Sequence, residues 1–296
     1  MLTSDLLVAA DLVASTREQT WIPFPKPTSE AARGFSGVRD NLDGLSLSFP
    51  TWMAPTSFRP ENKMRGSIIA TLTRHAQPCP PAGFQLEVGA VHVWVADLDS
   101  QPSEGDLLSA GERARAGRFP HTSQGQRWSR SREILRLLLG EYLQADPRTL
   151  CFAASAHGKP ELEGNPQSVC FNVSHSGGVA VYALADQPVG VDVELEGRDI
   201  DVLAVAERAL GPTAKARLSA LAPETREREF LREWVRHEAV VKCLGTGLGG
   251  KLEDEHARRP YVCELELGPR WRALRATAAV AAISEPSEMS YWEWHR

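Results

Sequence analysis

The sequence predicts an α+β protein of two similar lobes, preceded by an irregular N-terminal extension. Two observations support this prediction. The order strand, helix, helix, several strands occurs twice after residue 88, and proline is concentrated before it. We therefore expect an extension at residues 1–88, an N-terminal lobe at 89–187 and a C-terminal lobe with the functional site at 188–296. A cleft between the lobes is the expected ligand site.

The extension holds nine of the chain's 20 prolines. Such spacing prevents long helices and central strands, so we expect a short amphipathic piece near residues 4–15 and otherwise irregular chain. An alternative is that translation begins at Met53 or Met64. The first residues carry two aspartates and no basic segment, which does not predict a secretory signal.

Composition narrows the class of function. Lys and Arg total 33 against 38 Asp and Glu, so the formal charge of −5 gives no general attraction to nucleic acid or anionic membrane. No run approaches the roughly 18 apolar residues needed to cross a bilayer. The five cysteines are widely spaced, which argues against a disulfide framework or a zinc site. We expect a reduced, cytoplasmic protein with no nucleic-acid or membrane partner.

The elements of the first lobe follow from hydrophobic periodicity and turn residues. They are a strand at 91–97, helices at about 107–117 and 126–144, and strands at 150–156, 169–176 and 179–185. Gly177-Gly178 between the last two strands is a hairpin signal. The helix at 126–144 carries leucines on one face and arginines on the other. Those arginines suit a polyphosphate ligand, although such a face is more often simply solvated.

The second lobe repeats this order. Its predicted elements are a strand at 189–195, helices at about 200–221 and 224–244, and strands at 261–267, 271–284 and 290–294. Within the first strand, Asp192 and Glu194 share the face opposite the valines. Two such carboxylates can converge on a hard cation such as Mg²⁺. The alternative, which the motif alone favours, is a half-buried strand with a solvated acidic face.

Three side chains of the later helix lie in one stripe. Trp234, Glu238 and Lys242 follow at i, i+4 and i+8. Glu238 could be a third metal ligand and Lys242 could meet a phosphate oxygen, but an ordinary Glu-to-Lys helix pair is the simpler explanation. A glycine-rich loop, 245–250, ends the helix and allows close approach of backbone to a ligand.

Two further motifs supply candidate ligand contacts. Ser174 and His175 lie at the mouth of the predicted hairpin, where a protonated histidine can bind phosphate. Lys159 is a cation that we expect to be exposed in a His-Gly-Lys-Pro turn. Taken singly, each motif is also typical of an ordinary polar turn. No Gly-x-Ser-x-Gly nucleophile elbow is present.

In this order, the motifs resemble those of the larger, Sfp-type 4′-phosphopantetheinyl transferases over about residues 89–296. The matching segments are Gly158-Lys-Pro160, Asn172-Val-Ser-His175, Gly190-Val-Asp-Val-Glu194, Trp234-Val-Arg-His-Glu-Ala-Val-Val-Lys242 and Gly245-Thr-Gly-Leu248. The resemblance implies a pseudo-twofold relation between the two lobes, with coenzyme A between them. It also implies a monomer that acts on an apo acyl or peptidyl carrier protein.

The resemblance further implies roles for single residues. Asp192, Glu194 and Glu238 would hold Mg²⁺ against the pyrophosphate of coenzyme A, as a carrier serine attacks and 3′,5′-ADP leaves. Lys242 would stabilise the pyrophosphate, and Glu238 could take the serine proton. The 3′-phosphate and adenine end would be held by side chains from the other motifs, namely Lys159, Ser174, His175, Arg118 and Arg132.

One position departs from the family pattern. His237 stands where the family usually has lysine before the helical glutamate, and Lys251 could supply the missing charge. Two rival functions remain open from the sequence. One is a metal-dependent nuclease or phosphohydrolase, because Asp-x-Glu on a strand also opens some exonuclease sites. The other is an inactive homologue that still binds a carrier.

Overall fold

The structure is a computed structural model. It describes residues 73–74, 85–103, 105–119, 122–155, 159–165, 168–246 and 259–295. The amphipathic piece predicted near residues 4–15 lies outside these ranges, as do Lys251 and the glycine loop from residue 247 onward. Among the described helices, none combines the length and the apolar character needed to cross a membrane.

The described elements form a mixed α+β fold, as the sequence predicts. The strands are β1 (Thr73–Arg74), β2 (Ala90–Asp97), β3 (Phe152–Ala154), β4 (Pro160–Leu162), β5 (Cys170–Ser176), β6 (Val179–Ala185), β7 (Val189–Leu195), β8 (Tyr261–Glu264), β9 (Ala276–Ala282) and β10 (Glu288–Trp294). The helices are α1 (Ala110–Ala116), α2 (Thr122–Leu143), α3 (Val202–Ala209), α4 (Pro212–Ser219), α5 (Pro223–Leu244) and α6 (Pro269–Ala273).

Five strands form the first sheet, in the order β1-β10-β2-β6-β5. The β5–β6 hairpin turns at Gly177, whose φ of 56° is in the left-handed region, so the predicted hairpin is confirmed. The last strand, β10, lies parallel to β2 with Trp292 opposite Trp94. The end of the range 188–296 therefore pairs with the range 89–187, because the edge of β2 left open by β6 accepts it.

Three strands form the second sheet, in the order β7-β9-β8, and all its pairs are antiparallel. In this sheet β7 is an edge strand. Its inward valines, Val191 and Val193, pack with Val93 and Val181 of the first sheet in one apolar cluster. The two sheets thus pack against each other across a shared core.

A long helix covers the outer face of each sheet. Leu135 and Leu138 of α2 pack on Trp94 and Tyr182 of the first sheet. Phe230 and Trp234 of α5 pack with alanines of β9 on the second sheet, together with α3 and α4. Alternation along each strand explains the arrangement, because successive side chains serve opposite faces.

Two predicted elements differ from the structure. The predicted helix at 200–221 is broken into α3 and α4, because Gly211 has a φ of 92° and Pro212 starts a new first turn. The strand predicted at 271–284 begins only at residue 276. The short helix α6 precedes it, and Arg275 at a φ of 54° makes the turn between them.

Candidate active site

The acidic residues of β7 are fully buried. Asp192 and Glu194 are both 0% exposed and lie on the face of β7 opposite Val191 and Val193. The predicted alternation is therefore confirmed, whereas a solvated acidic face is not what the structure shows. A Cβ at Gly190 would collide with the backbone of α5 at Ala239, so glycine permits this helix to lie directly against β7.

The close approach of α5 brings Glu238 and Lys242 to the carboxylates. Glu238 is 2% exposed and Lys242 is 9% exposed, one turn apart on the buried face that also carries Trp234. Lys242 Nζ donates to Asp192 Oδ1 at 2.6 Å. The stripe predicted along this helix is thus on its buried side, and Lys242 pairs across the site with Asp192.

A second set of contacts comes from β5. Ser174 Oγ donates to Asp192 Oδ1 at 2.8 Å, and Ser176 Oγ donates to Glu194 Oε2 at 2.9 Å. Arg198 also pairs with Glu194 Oε2 at 2.7 Å. Sequence reasoning missed Ser176 and Arg198. Ser176 could have been found from its spacing, because it lies two residues after Ser174 and so shares its strand face. Arg198 could have been found because it lies four residues after Glu194.

The two buried glutamates, Glu194 and Glu238, have raised pKa values. Burial raises the pKa of Glu194 to about 7, and the neighbouring charge of Asp192 adds to the rise, against Arg198. Burial likewise raises the pKa of Glu238 to about 8, with Lys242 opposing it and the other two carboxylates adding to it. Three like charges in a dry site are costly unless a cation compensates them.

The donor set fits a hard divalent cation. Asp192 Oδ2, Glu194 Oε1 and Glu238 Oε1 are each buried without a hydrogen-bond partner. Such oxygens are the ligands that Mg²⁺ prefers. In the described residues, no three acidic, histidine or cysteine side chains already stand close enough together to hold an ion. Mg²⁺ usually keeps several water ligands and needs only one or two protein carboxylates besides substrate phosphates, so three converged side chains are not required.

His175 and Arg132 lie together on the opposite face of β5. They line a cavity of about 20 Å³ between β5 and α2, with Trp128 as another wall. The Arg132 guanidinium carbon lies 5.5 Å from the centre of the Trp128 ring, and Arg132 Nε lies 3.4 Å from Glu112 Oε1. Burial, with nearby cations such as Lys242, lowers the pKa of His175 to about 4. Without a bound anion the ring is therefore neutral at neutral pH, and its role as a protonated phosphate ligand stays a prediction.

Lys159 does not stand exposed in its turn. Its Nζ donates to the carbonyl oxygens of Val189 and Lys242, both at 2.9 Å, and burial lowers its pKa. It thus ties the start of β7 to the end of α5, where an ammonium also suits the helix dipole. Arg118 is exposed, one residue beyond the end of α1 at Gly117.

His237, beside Glu238 on α5, also gains little charge at neutral pH. Burial lowers its pKa below the usual 6.5. A positive charge like that of the family lysine is therefore not reproduced at this position in the structure.

Comparisons with known proteins point to one family. The model of the 4′-phosphopantetheinyl transferase superfamily matches residues 188–283, which contain both β7 and α5. The 4′-phosphopantetheinyl transferase HetI of Nostoc sp. is 30% identical over 237 residues, 75% of this chain and 100% of that protein. A putative 4′-phosphopantetheinyl transferase of Synechocystis sp. is 33% identical over 68% of this chain and 84% of its own. The 4′-phosphopantetheinyl transferase Sfp of Bacillus subtilis is 28% identical over 51% of this chain and 66% of its own.

Proposed function

The chain belongs to the Sfp-type 4′-phosphopantetheinyl transferase family, and on that premise we propose that it moves the phosphopantetheine arm of coenzyme A onto a serine of an apo acyl or peptidyl carrier protein. The other product would be 3′,5′-ADP. One observation carries the proposal: the carboxylates of Asp192, Glu194 and Glu238 are buried beside Lys242, between the edge of a sheet and a helix. Membership in this family leaves no observation that favours a nuclease or a phosphohydrolase.

Asp192, Glu194 and Glu238 would hold Mg²⁺. Their unpartnered buried oxygens support this assignment, because an acceptor buried without a donor is costly in a finished protein. When bound, the ion would neutralise pyrophosphate charge as the reaction proceeds. The two elements that carry these residues are held in contact at Gly190.

Glu238 and Lys242 are suited to the proton and charge movements of the transfer. The serine oxygen would bond to the β-phosphorus while the bond from that phosphorus to the bridging oxygen breaks. Glu238, a buried carboxylate one turn from Lys242, would take the serine proton directly or through water once a bound cation favours its ionised form. Lys242, with its ammonium 2.6 Å from Asp192, would meet the pyrophosphate oxygens.

By the family pattern, the adenine and 3′-phosphate end of coenzyme A would lie near His175 and Arg132, which line one cavity with room for about one water. His175 would then donate a ring N–H to the phosphate. Arg118 remains a candidate from its exposed place after α1. Ser174 and Lys159 are weaker candidates than the sequence implied, because the structure already uses the Ser174 proton on Asp192 and the Lys159 ammonium on backbone carbonyls.

The same premise implies two lobes, at residues 89–187 and 188–296, related by a pseudo-twofold axis with coenzyme A between them. The matched lengths of α2 and α5, 22 residues each, on the outer faces of the two sheets support it. The pairing of β10 with β2 means that the second range also completes the first sheet. The boundary at residue 88 stays a proposal, but the extension is not wholly separate, because Thr73–Arg74 pairs with β10 at the edge of the first sheet and Leu86 packs on the core. We expect a monomer.

Incubation with coenzyme A, Mg²⁺ and an apo-carrier tests the function. The expected result is a carrier whose mass rises by one phosphopantetheine arm, with release of 3′,5′-ADP. Asp192→Ala is the control, because it removes a carboxylate at the centre of the site and should give no mass gain. A carrier of unchanged mass with the unaltered protein, across several apo-carriers, would indicate an inactive homologue and defeat the proposal.

A further inference from the structure

The edge of β7 is closed by side chains of β5 instead of by another strand's backbone. Three side chains of β5, at every second residue, accept hydrogen bonds from three backbone N–H groups of β7. Each donor lies nineteen residues after its acceptor in the sequence. The bonds run from Val191 N to Asn172 Oδ1 at 2.8 Å, from Val193 N to Ser174 Oγ at 3.3 Å, and from Leu195 N to Ser176 Oγ at 3.2 Å. We refer to Asn172, Ser174 and Ser176 as the side-chain ladder. It satisfies buried amides of the edge strand and joins the two sheets.

Two rungs of the ladder also reach the carboxylates. A serine oxygen that accepts from a backbone amide can still donate its single proton. Ser174 gives that proton to Asp192, and Ser176 gives it to Glu194. The third rung, Asn172, contacts the backbone of β7 at Val191. The ladder therefore contains two serines that join the sheets and orient an acid, and one asparagine that serves as an internal comparison.

The contacts of Ser176 determine which oxygen of Glu194 is left for a ligand. Ser176 and Arg198 both donate to Oε2, at 2.9 Å and 2.7 Å. Arg198 also donates to Ser176 Oγ at 2.8 Å, so the hydroxyl makes three hydrogen bonds, which is its full capacity. Oε1 of Glu194 is the oxygen that remains buried without a partner. The orientation of this carboxylate is thus fixed by Ser176 and Arg198.

We propose that Ser176 is a positioning residue for the transfer reaction, holding Glu194 so that Oε1 is presented to the divalent cation. The ladder makes this orientation depend on the joint between the two sheets. The proposal rests on the proposed function, because that function assigns Glu194 to the cation. Partners of ligating carboxylates typically change metal affinity by about 10- to 100-fold when removed, which sets the size of the expected effect.

Mn²⁺ titration of the full chain at a fixed concentration of coenzyme A tests the proposal, with free Mn²⁺ measured by electron paramagnetic resonance against a protein-free blank. Ser176→Ala should weaken Mn²⁺ binding about tenfold or more. Ser176→Thr keeps the hydroxyl and should bind within about threefold of the unaltered protein. Asn172→Ala also removes one rung, but it should bind Mn²⁺ within about twofold, because Asn172 orients no carboxylate in the described contacts.

Thermal unfolding without metal distinguishes the loss of a positioned Glu194 carboxylate from a general loss of fold stability. Both alanine variants lose one acceptor for a backbone amide, so both should unfold at lower temperature, and only Ser176→Ala should also lose affinity. Equal loss of Mn²⁺ affinity in the two alanine variants would overturn the proposal, and so would unaltered affinity in Ser176→Ala. If Ser176→Ala does not fold, Ser176→Cys makes the same comparison with a weaker donor. An unaltered protein that binds no Mn²⁺ would instead defeat the metal site itself.

Discussion

The two long helices bury charge in opposite ways. On α2, Arg136 is 2% exposed, and its guanidinium donates hydrogen bonds to Glu112 Oε2 and to the carbonyl oxygens of Pro147 and Leu150. On α5, Glu238 is equally buried, yet one of its oxygens has no partner. Both helices have 22 residues and cover a sheet, so size and topology do not explain the contrast. Glu112 Oε1 likewise has no hydrogen-bond partner, but Arg132 Nε lies 3.4 Å from it. Buried charge that is balanced by opposite charge indicates a structural role, whereas buried carboxylates that outnumber their cations indicate a site for a ligand.

Charge balance sharpens the contrast. The Glu112 carboxylate has two guanidinium groups beside it, those of Arg132 and Arg136. In the acidic site, three carboxylates meet the single ammonium of Lys242 and the partly exposed Arg198. The first cluster is compensated within the protein. The second has more negative than positive groups when all three carboxylates are ionised, and a bound cation would stabilise that ionised state.

The largest expected effect is on transfer in Glu238→Gln. The substitution keeps the shape of the side chain and removes the proposed ligand and base, so kcat/KM should fall about a thousandfold. The unfolding free energy should change little, because a pKa near 8 means that Glu238 is already mostly neutral at pH 7 without metal. Carrier mass spectrometry and urea unfolding measure the two quantities. If Glu238→Gln keeps full activity, α5 does not carry the proposed ligand site, and the contrast with the structural charge cluster of α2 fails.

Glu112→Gln should lower stability strongly and activity only slightly, the reverse of Glu238→Gln. Removing one partner of a buried, hydrogen-bonded charge cluster leaves Arg132 and Arg136 poorly compensated, so the unfolding free energy should fall by about 3–5 kcal/mol. Urea unfolding measures this loss. The kcat of the folded fraction should fall far less than in Glu238→Gln. If Glu112→Gln were as stable as the unaltered protein, the structural role assigned to this cluster would be wrong.

Gly190→Ala should lower both the unfolding free energy and the transfer activity, because it disturbs packing. A methyl group at residue 190 would collide with the backbone of Ala239 and Cys243, so α5 would have to move away from β7. Overpacking of this kind costs about 1–3 kcal/mol of unfolding free energy, and transfer should fall because the carboxylates separate. Gly105→Ala is the control, since a Cβ there meets nothing within 4 Å. Equal behaviour of the two variants in unfolding and transfer would contradict the close-contact explanation.

The smallest expected effect is a pH dependence of stability from His175. Its pKa falls from 6.5 when unfolded to about 4 when folded, so the unfolded chain binds more protons between these values. The stabilising contribution is present above pH 6.5 and is lost as the pH falls toward 4. The unaltered protein should lose about 1–2 kcal/mol more than His175→Gln between pH 7.5 and pH 5. Unfolding by urea at the two pH values checks this, and parallel losses would argue against the lowered pKa.

Local sequence patterns predicted the elements more fully than the contacts. Gly177-Gly178 and the alternation along β7 needed only neighbouring residues, and both were predicted. The burial of Asp192 depends on how closely a helix some fifty residues away can approach, and that distance is set at Gly190. Nothing local to β5 shows that Ser176 would meet Glu194, since the contact arises from the joint of two sheets. Lys159 was misjudged for the same reason, because its acceptors lie on two distant elements.

The parallel pairing of β10 with β2 has a consequence for synthesis. The ribosome makes β2 about two hundred residues before β10, so a nascent chain carries the first sheet with one edge unpaired for most of its translation. Closing so long a loop is slow, and an unpaired edge can pair with other chains in the meantime. The first sheet therefore cannot be completed before residue 294 has been translated, and ribosome stalling before β10 should yield aggregation-prone fragments.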